Sequence, residues 1–169
     1  MDIWISPSGD FGHSFAEQLR ALLAGTGRTV RVAGEPGPGF AVRAAWRDVP
    51  AEFEAFAATA RTPWLAVAQA HPYLRVGPAV VPGIAPCHEC YLTRVRQHGP
   101  ADGVEAALAA HPEVGVGGFA PHQVMMAAGM ALALIDTAEA GTLVTIDCRT
   151  DEVVSWRVVP AHACRGCGT

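Results

Sequence analysis

The opening stretch Asp2-Ile3-Trp4-Ile5-Ser6, which runs into Pro7-Ser8-Gly9, indicates the fold class. A short apolar run that ends in turn-forming residues is typical of a buried strand. After the turn, Ser14 with Glu17 resembles a capping box, and the apolar residues that follow have helical spacing. The stretch therefore predicts a first strand, a glycine-bearing turn and then a helix of about ten residues.

Working outward from this strand, the chain alternates predicted strands and helices. Apolar runs predict strands at residues 29–33, 41–46 and 64–69, and a helix lies between the last two at residues 51–60. The order is β-α-β-loop-β-α-β, with a Pro/Gly loop at residues 34–39. Such an order predicts an α/β fold with a Rossmann-like, mostly parallel sheet.

The second half of the chain has a different pattern. A strand is predicted at residues 74–81, with Gly77-Pro78 marking a bulge or a sheet edge. Short helices are predicted at 90–98 and 101–110, and a long helix begins at Pro121 and is capped by Gly141. Residues 143–147 and 153–159 alternate like a C-terminal antiparallel hairpin. With no internal repeat, residues 1–169 are predicted to form a single domain.

Composition limits the classes of function. Half of the 169 residues are hydrophobic and 17% are charged, as in globular proteins. The formal charge of −4 argues against a general nucleic-acid binder, which needs clustered basic residues. The long helix is too interrupted by polar residues for a membrane span, and the N-terminus lacks the features of a signal peptide. The protein is expected to be cytoplasmic, where paired cysteines indicate metal more than disulfide.

Four of the five cysteines form two Cys-x-x-Cys pairs, Cys87/Cys90 and Cys164/Cys167. Each such turn directs two thiolates to one point, and two turns complete a tetrahedral shell for zinc. Because 73 residues lie between Cys90 and Cys164, the metal would staple distant segments together. A closed shell has no position for water, so the predicted zinc is structural and not catalytic.

Other interpretations of these residues remain open at this stage. The pairs could be redox dithiols or unrelated core cysteines, and His88 or His162 could replace a thiolate. The fifth cysteine, Cys148, is predicted to lie in a strand as a small buried hydrophobic residue. No catalytic Ser-His-Asp or Cys-His set is evident.

The turn after the first strand was compared with a dinucleotide-binding fingerprint, which needs G-x-G-x-x-G at a helix N-terminus. This turn has only Gly9 and Gly12, and Asp10 would meet a phosphate with negative charge. The acidic residue expected after the second strand could be Glu35, but it lies in the Pro/Gly loop. A tight strand-to-helix turn is the preferred interpretation. ATP binding is not expected, and no cofactor-binding residue is assigned.

Two longer stretches carry a family resemblance. Residues 77–94, GPAVVPGIAPCHECYLTR, and residues 158–168, VVPAHACRGCG, resemble the ubiquitin-activating-like (ThiF/MoeB-type) components of thiazole/oxazole-modified microcin biosynthesis. This is the family of bacteriocin-biosynthesis cyclodehydratase and precursor leader-peptide-binding proteins. In that family the first knuckle is followed by an arginine on the next helix, which corresponds to Arg94. The likeness is sharp over roughly the second half of the chain.

The resemblance implies a degenerate ThiF/MoeB-like fold and zinc on the same four cysteines. It implies an accessory role: holding a precursor peptide and presenting its Cys, Ser or Thr residues to a YcaO-type, ATP-using cyclodehydratase. The family's glycine-rich ATP loop has no match in these residues, and a separate N-terminal leader-recognition domain is not expected. Whether the chain is itself an enzyme stays open, with the accessory role preferred. The alternative is an ATP-dependent adenylyltransferase acting on a peptide or carrier-protein C-terminus. A homodimer through the long helix is expected.

Overall fold

The computed structural model describes residues 1–32, 37–47, 49–70, 72–98, 111 and 118–168. Within these residues seven strands form a single sheet, accompanied by four helices. The strands are β1 (Asp2–Ser8), β2 (Thr29–Val32), β3 (Phe40–Arg47), β4 (Trp64–Ala70), β5 (Tyr73–Val80), β6 (Thr142–Asp147) and β7 (Val153–Arg157). The helices are α1 (Gly9–Leu23), α2 (Pro50–Thr59), α3 (His88–His98) and α4 (Pro121–Thr137).

The sheet is mixed, with the strand order β2-β1-β3-β4-β5-β6-β7. The first four strands in this order are parallel to their neighbours, whereas every pairing from β4 to β7 is antiparallel. The prediction of a mostly parallel sheet is therefore correct for the first half of the sheet only. The predicted antiparallel pairing of the last two strands is present.

Alternating side chains on the strands divide the core between the two faces of the sheet. On β4, Leu65 and Val67 join the core beneath α1 and α4, whereas Trp64 and Ala66 join the core beneath α2. This alternation is the period-two pattern of a strand that is buried on both sides. Helices therefore cover both faces, and a third, smaller cluster surrounds the cysteine pairs.

Several predicted details of the elements are wrong. Helix α1 begins at Gly9, directly after β1, so Ser14 lies inside the helix and does not form a capping box with Glu17. The residue that ends α4 in the left-handed conformation is Ala138, whereas Gly141 precedes β6. For Gly77-Pro78 the predicted bulge is confirmed, because the β4–β5 register shifts there, whereas the alternative of a sheet edge is wrong, because β5 lies between β4 and β6. The predicted helix at 101–110 falls outside the described residues.

Candidate metal centre

The first cysteine pair lies at the start of α3. Cys87 immediately precedes the helix and Cys90 lies in its first turn, where the Tyr91 amide donates to the Cys87 carbonyl at 3.3 Å. This helical turn brings the Cys87 and Cys90 Sγ atoms to 3.9 Å from each other. Cys90 is fully buried, whereas Cys87 is half-buried.

The second pair lies in a tight turn that follows β7. The Gly168 amide donates to the Cys164 carbonyl at 2.9 Å, which closes the turn. A Cβ atom on Gly166 would lie only 2.9 Å from the Cys87 Sγ and 3.2 Å from the Glu89 Cβ. Real Cβ atoms do not approach other atoms this closely, so glycine is the residue that allows the two segments to meet.

The four sulfurs form one compact group. All lie within 4.8 Å of one another, with 3.6 Å between the Cys87 and Cys164 Sγ atoms and 3.5 Å between those of Cys90 and Cys167. Four sulfurs at about 2.3 Å from a central zinc would be about 3.8 Å apart, close to these separations. The cysteines are free thiols and not disulfides. The cluster can therefore hold a metal ion, and its all-thiol donor set suits a soft or borderline metal.

Burial makes these thiols hard to ionise without a cation. Desolvation by burial is the main reason why the pKa of Cys87 is raised to about 12, and it also raises the pKa of Cys90. A redox dithiol needs the opposite, because its nucleophile is a thiolate with a lowered pKa. A bound metal ion would supply the positive charge that stabilises the thiolates. The raised pKa values thus argue against thiol redox chemistry.

Backbone and arginine contacts fix the second pair against the first. The Ala161 amide donates to the Cys90 Sγ at 3.3 Å. The Arg94 guanidinium, one helical turn further along α3, donates to the carbonyls of Val159 at 3.1 Å and Pro160 at 2.5 Å. Hydrogen bonds to a charged donor are stronger than neutral ones. The arginine noted in the sequence therefore clamps the segment that leads into the second pair.

The two histidines near the knuckles lie outside the sulfur cluster. The buried ring of His88 packs between aromatic side chains, with centroids 5.2 Å from Trp64 and 5.8 Å from Tyr91. His162 is exposed to solvent. Cys148 is also separate: it follows β6, is half-buried, and its carbonyl accepts a hydrogen bond from Gln123. It therefore lies just beyond the strand in which it was predicted.

A buried arginine beside the metal centre was not anticipated from the sequence. Arg75 on β5 is only 4% exposed, and its guanidinium lies 4.9 Å from the ring centroid of Tyr91 and 5.5 Å from that of Phe53. Its Nη1 atom donates to the Gly77 carbonyl. Cation–π contacts strengthen when the cation is desolvated. Arg75 thereby connects the knuckle helix α3 to α2. The sequence signal that could have identified Arg75 is the presence of a charged residue inside the apolar run around Leu74.

The opposite end of the molecule contains a small surface cavity of about 240 Å³. It lies at the carboxyl ends of β1 and β3, where ligands bind in open α/β sheets. Its lining residues come from the two strand ends and the start of α2: Ser8, Gly9, Ala45, Trp46, Arg47, Val49 and Glu52. The Glu52 carboxylate accepts a 2.5 Å hydrogen bond from Arg43. The cavity therefore carries one acidic and one basic side chain, Glu52 and Arg47, and the Glu52 carboxylate is paired with Arg43.

Gly12, the second glycine of the turn, has a packing role. A Cβ atom at this position would lie 2.7 Å from the Ala44 carbonyl oxygen and 3.1 Å from the Pro7 Cα. Glycine thus lets α1 pack closely against β1 and β3. This close backbone approach is a sufficient reason for glycine at position 12, so the glycine is not evidence for a nucleotide site. The packing agrees with the interpretation of a tight strand-to-helix turn.

None of the helices in the described residues has both the length and the apolar character needed to cross a membrane. No protein-family model matches the chain, and neither does any of the curated proteins. Solved structures, in contrast, match it over nearly its whole length.

A heterocyclase in complex with substrate and cofactor has 19% sequence identity and a TM-score of 0.69, covering 99% of this chain and 25% of its own. The heterocyclase TruD has 20% identity and a TM-score of 0.67, covering 99% of this chain and 27% of its own. The Escherichia coli microcin synthetase McbBCD complex has 11% identity and a TM-score of 0.64, covering 96% and 67%. The chain thus spans about a quarter of the length of the heterocyclases. At these identities the likeness is one of fold: this chain has the fold of a unit found in solved heterocyclases and in a microcin synthetase.

Proposed function

We propose that this chain is a non-catalytic partner in the biosynthesis of a ribosomally synthesised, post-translationally modified peptide of the azoline or thiazole type. In this proposal it helps to present a precursor peptide to a YcaO-type cyclodehydratase or a comparable modifying enzyme. The observation that carries the proposal is the fold shared with heterocyclases over 99% of the chain. The McbBCD synthetase, a complex of several components, supports a role beside other proteins.

The proposal includes a degenerate, Rossmann-like ThiF/MoeB-type fold for residues 1–169. The three parallel pairings among β2, β1, β3 and β4, with α1 and α2 between the strands, support it. It also includes one structural zinc ion on Cys87, Cys90, Cys164 and Cys167. The separations between the sulfurs and the all-thiol donor set support a metal with thiolate ligands. A cytoplasmic location, where thiols stay reduced, agrees with this site.

Within this role, zinc would organise the protein without taking part in chemistry. Four protein ligands complete its shell, so no position is left for substrate or water. The ion would hold α3 to the segment after β7, supported by Arg94 and by the Ala161 amide. The chain's contribution to the pathway would therefore be a rigid surface that partners can bind.

The proposal is tested by reconstitution with the modifying enzyme and the candidate precursor peptide that neighbouring genes encode. We expect this chain to co-purify with at least one of the two and to increase the number of water losses that mass spectrometry detects in the precursor. Cys148→Ser is the control variant: it alters a cysteine outside the cluster and should behave like the wild type in both assays. Failure of the zinc-loaded protein to bind either partner, with no effect on the reaction, would contradict the proposal.

An ATP-dependent adenylyltransferase is the second candidate function. The observation that favours it is the cavity at the carboxyl ends of β1 and β3, the usual position for a ligand in an open α/β sheet. The glycine-poor turn argues against it. ATP–pyrophosphate exchange in the presence of candidate peptides distinguishes the two. Exchange above the background of a Gly9→Asp variant, which adds a second acidic residue to this turn, would favour the enzyme.

A further inference from the structure

The outer edge of β7 is open to solvent. β7 pairs with β6 on one side, and the part of the chain that the structure describes has no strand on the other. Every residue of β7 except Val154 is exposed. Such an edge offers unpaired backbone donors and acceptors to another strand, and natural proteins usually protect it.

The register shows which backbone groups of β7 face outward. The Val158 amide donates to the Gly141 carbonyl, and the Asp147 amide donates to the Glu152 carbonyl. Hydrogen-bonded residues alternate along an antiparallel pair. The even-numbered residues of β7 therefore bond to β6, and the N–H and C=O groups of Val153, Ser155 and Arg157 face outward. Ser155 is the centre of this open edge.

We propose that this edge binds a second copy of the chain, so that two β7 strands pair antiparallel about a two-fold axis at Ser155. In this register each Val154 lies opposite Trp156 of the second copy, and each Val153 lies opposite Arg157. Pairs of aromatic and β-branched residues are favourable across strands. The contact also covers apolar surface, because Trp156 is 55% exposed and Val153 40% exposed. One symmetric patch serves both copies, as two-fold dimers require.

Charge favours the antiparallel direction. The acidic residues Asp151 and Glu152 precede β7, whereas Arg157, which also pairs with Glu139 of its own chain, ends it and Arg94 lies against the segment that follows. Antiparallel pairing brings the acidic end of one copy to the basic end of the other. Parallel pairing would bring like charges together, which is unfavourable. The charge pattern of the strand is therefore complementary to itself.

The long helix α4 is less suited to self-association than its sequence indicates. Its apolar side chains face the sheet and α1, with Val124, Ala131 and Leu134 buried. Within the described residues, Met125 is the single large hydrophobic residue of α4 that is well exposed, at 56%. Burial inside the domain accounts for the apolar character of the helix, so we assign the self-contact to β7.

The test is a pair of charge variants at the symmetry centre. Ser155→Asp and Ser155→Lys each place two like charges directly opposite one another, and each is expected to weaken self-association about fivefold. An equimolar mixture of the two variants should restore association, because opposite charges then meet. Sedimentation velocity over a concentration series measures this in the zinc-loaded protein. Because Ser155 is exposed, the folded monomer should retain its melting temperature.

Three outcomes would overturn the proposal. The wild-type chain could stay monomeric at every concentration tested, or both charge variants could associate like the wild type. Met125→Asp, on α4, could dissociate the dimer while the Ser155 variants leave it intact, which would make α4 the interface. These measurements use neither a precursor peptide nor a partner enzyme. Their failure therefore leaves the proposed biosynthetic role untouched, and failure of that role leaves this inference untouched.

Discussion

The two halves of the sheet differ in what they hold at the ends of their strands. In the parallel half, the carboxyl ends of β1 and β3 form the crevice where open α/β sheets hold ligands, but Trp46 and Glu52 line it. In the antiparallel half, β5 to β7 support a cluster of four sulfurs with an arginine clamp. The comparison teaches that the strand order of an open α/β sheet does not by itself place a site at its crevice. Here the candidate metal site is in the other half.

The largest effect should follow loss of a sulfur ligand. Cys87→Ser and Cys164→Ser should each abolish stoichiometric zinc binding, because the tetrahedral shell loses a ligand. A structural zinc ion can contribute on the order of 10 kcal/mol to the folded state, so for a chain of this size we expect the melting temperature to fall by about 20 °C or more. Metal analysis and calorimetry measure both quantities.

Cys148→Ser is the control for these variants, because Cys148 lies outside the cluster. It should retain zinc and lose only a few degrees of thermal stability. A similar loss of thermal stability from all three substitutions would contradict the assignment of Cys148 as a cysteine outside the metal site.

The second-largest effect should follow substitution of two glycines, one beside the sulfur cluster and one in the parallel half of the sheet. Gly166→Ala should lower zinc retention against a chelator, because the new Cβ would lie 2.9 Å from the Cys87 Sγ. Gly12→Ala forces a contact of 2.7 Å with the Ala44 carbonyl oxygen and should destabilise the parallel half. Each substitution should cost about 1–3 kcal/mol of unfolding free energy. Zinc retention by the folded protein should stay normal for Gly12→Ala.

Gly129→Ala on α4 is the matched control for both glycine variants. A Cβ atom there has nothing within 4 Å, and alanine is favoured over glycine in a helix by about 0.5–1 kcal/mol. Urea unfolding should therefore show a slightly more stable protein. Faster zinc loss in Gly12→Ala than in Gly166→Ala would contradict the prediction that Gly166, and not Gly12, affects zinc retention.

A third effect tests the clamp. Arg94→Met keeps the aliphatic packing of the side chain but removes its hydrogen bonds to the Val159 and Pro160 carbonyls. We expect a loss of about 1–2 kcal/mol in denaturant unfolding, together with faster removal of zinc by a chelator. Arg94→Lys should recover part of it, since lysine keeps the charge but not the planar fork. Unchanged zinc kinetics in Arg94→Met would mean that the clamp is not coupled to the metal centre.

The smallest effect concerns the turn between β6 and β7. The hydrogen bond from Arg149 lowers the pKa of Asp147 to about 2. A lowered carboxyl pKa stabilises the folded state at pH values above the ordinary pKa of the group. This stabilisation is lost as the pH falls through the folded-state pKa of about 2. Carbon-13 NMR titration should give this low pKa, and Arg149→Gln should raise it toward the ordinary range. Because the Arg149 side chain is 62% exposed, the ion pair is largely screened by solvent, and thermal stability at neutral pH should hardly change.

Much of the fold could be predicted from local pattern. The strands occur within one or two residues of their predicted positions, because apolar alternation and turn residues are properties of short segments. The Cys-x-x-Cys spacing identified the residues that the structure brings together, since ligand geometry is local within each pair. The direction of β5 was not specified by its sequence, because the pairing partner decides it.

The errors have tertiary causes. Helix α1 begins five residues before Ser14 because Gly12 allows close packing of its first turns on β1 and β3, and this contact is not visible in a sequence window. Ala138 adopts the left-handed conformation at the end of α4, where propensity favoured a glycine. Arg75 is buried because two aromatic rings from separate helices surround it. For α1 and for Arg75 the deciding neighbours include residues distant in sequence.

The direct connection from β7 into the second cysteine pair has a thermodynamic consequence. Cys164 and Cys167, two of the four candidate metal ligands, follow a segment, residues 158–161, that is hydrogen-bonded to Gly141, Arg94 and Cys90. Any molecule that binds more tightly to the ordered form of this segment must raise the affinity for the metal. By reciprocity, the metal must raise the affinity for that molecule by the same factor. Metal affinity would then report, at a distance, on whether the edge of the sheet is occupied.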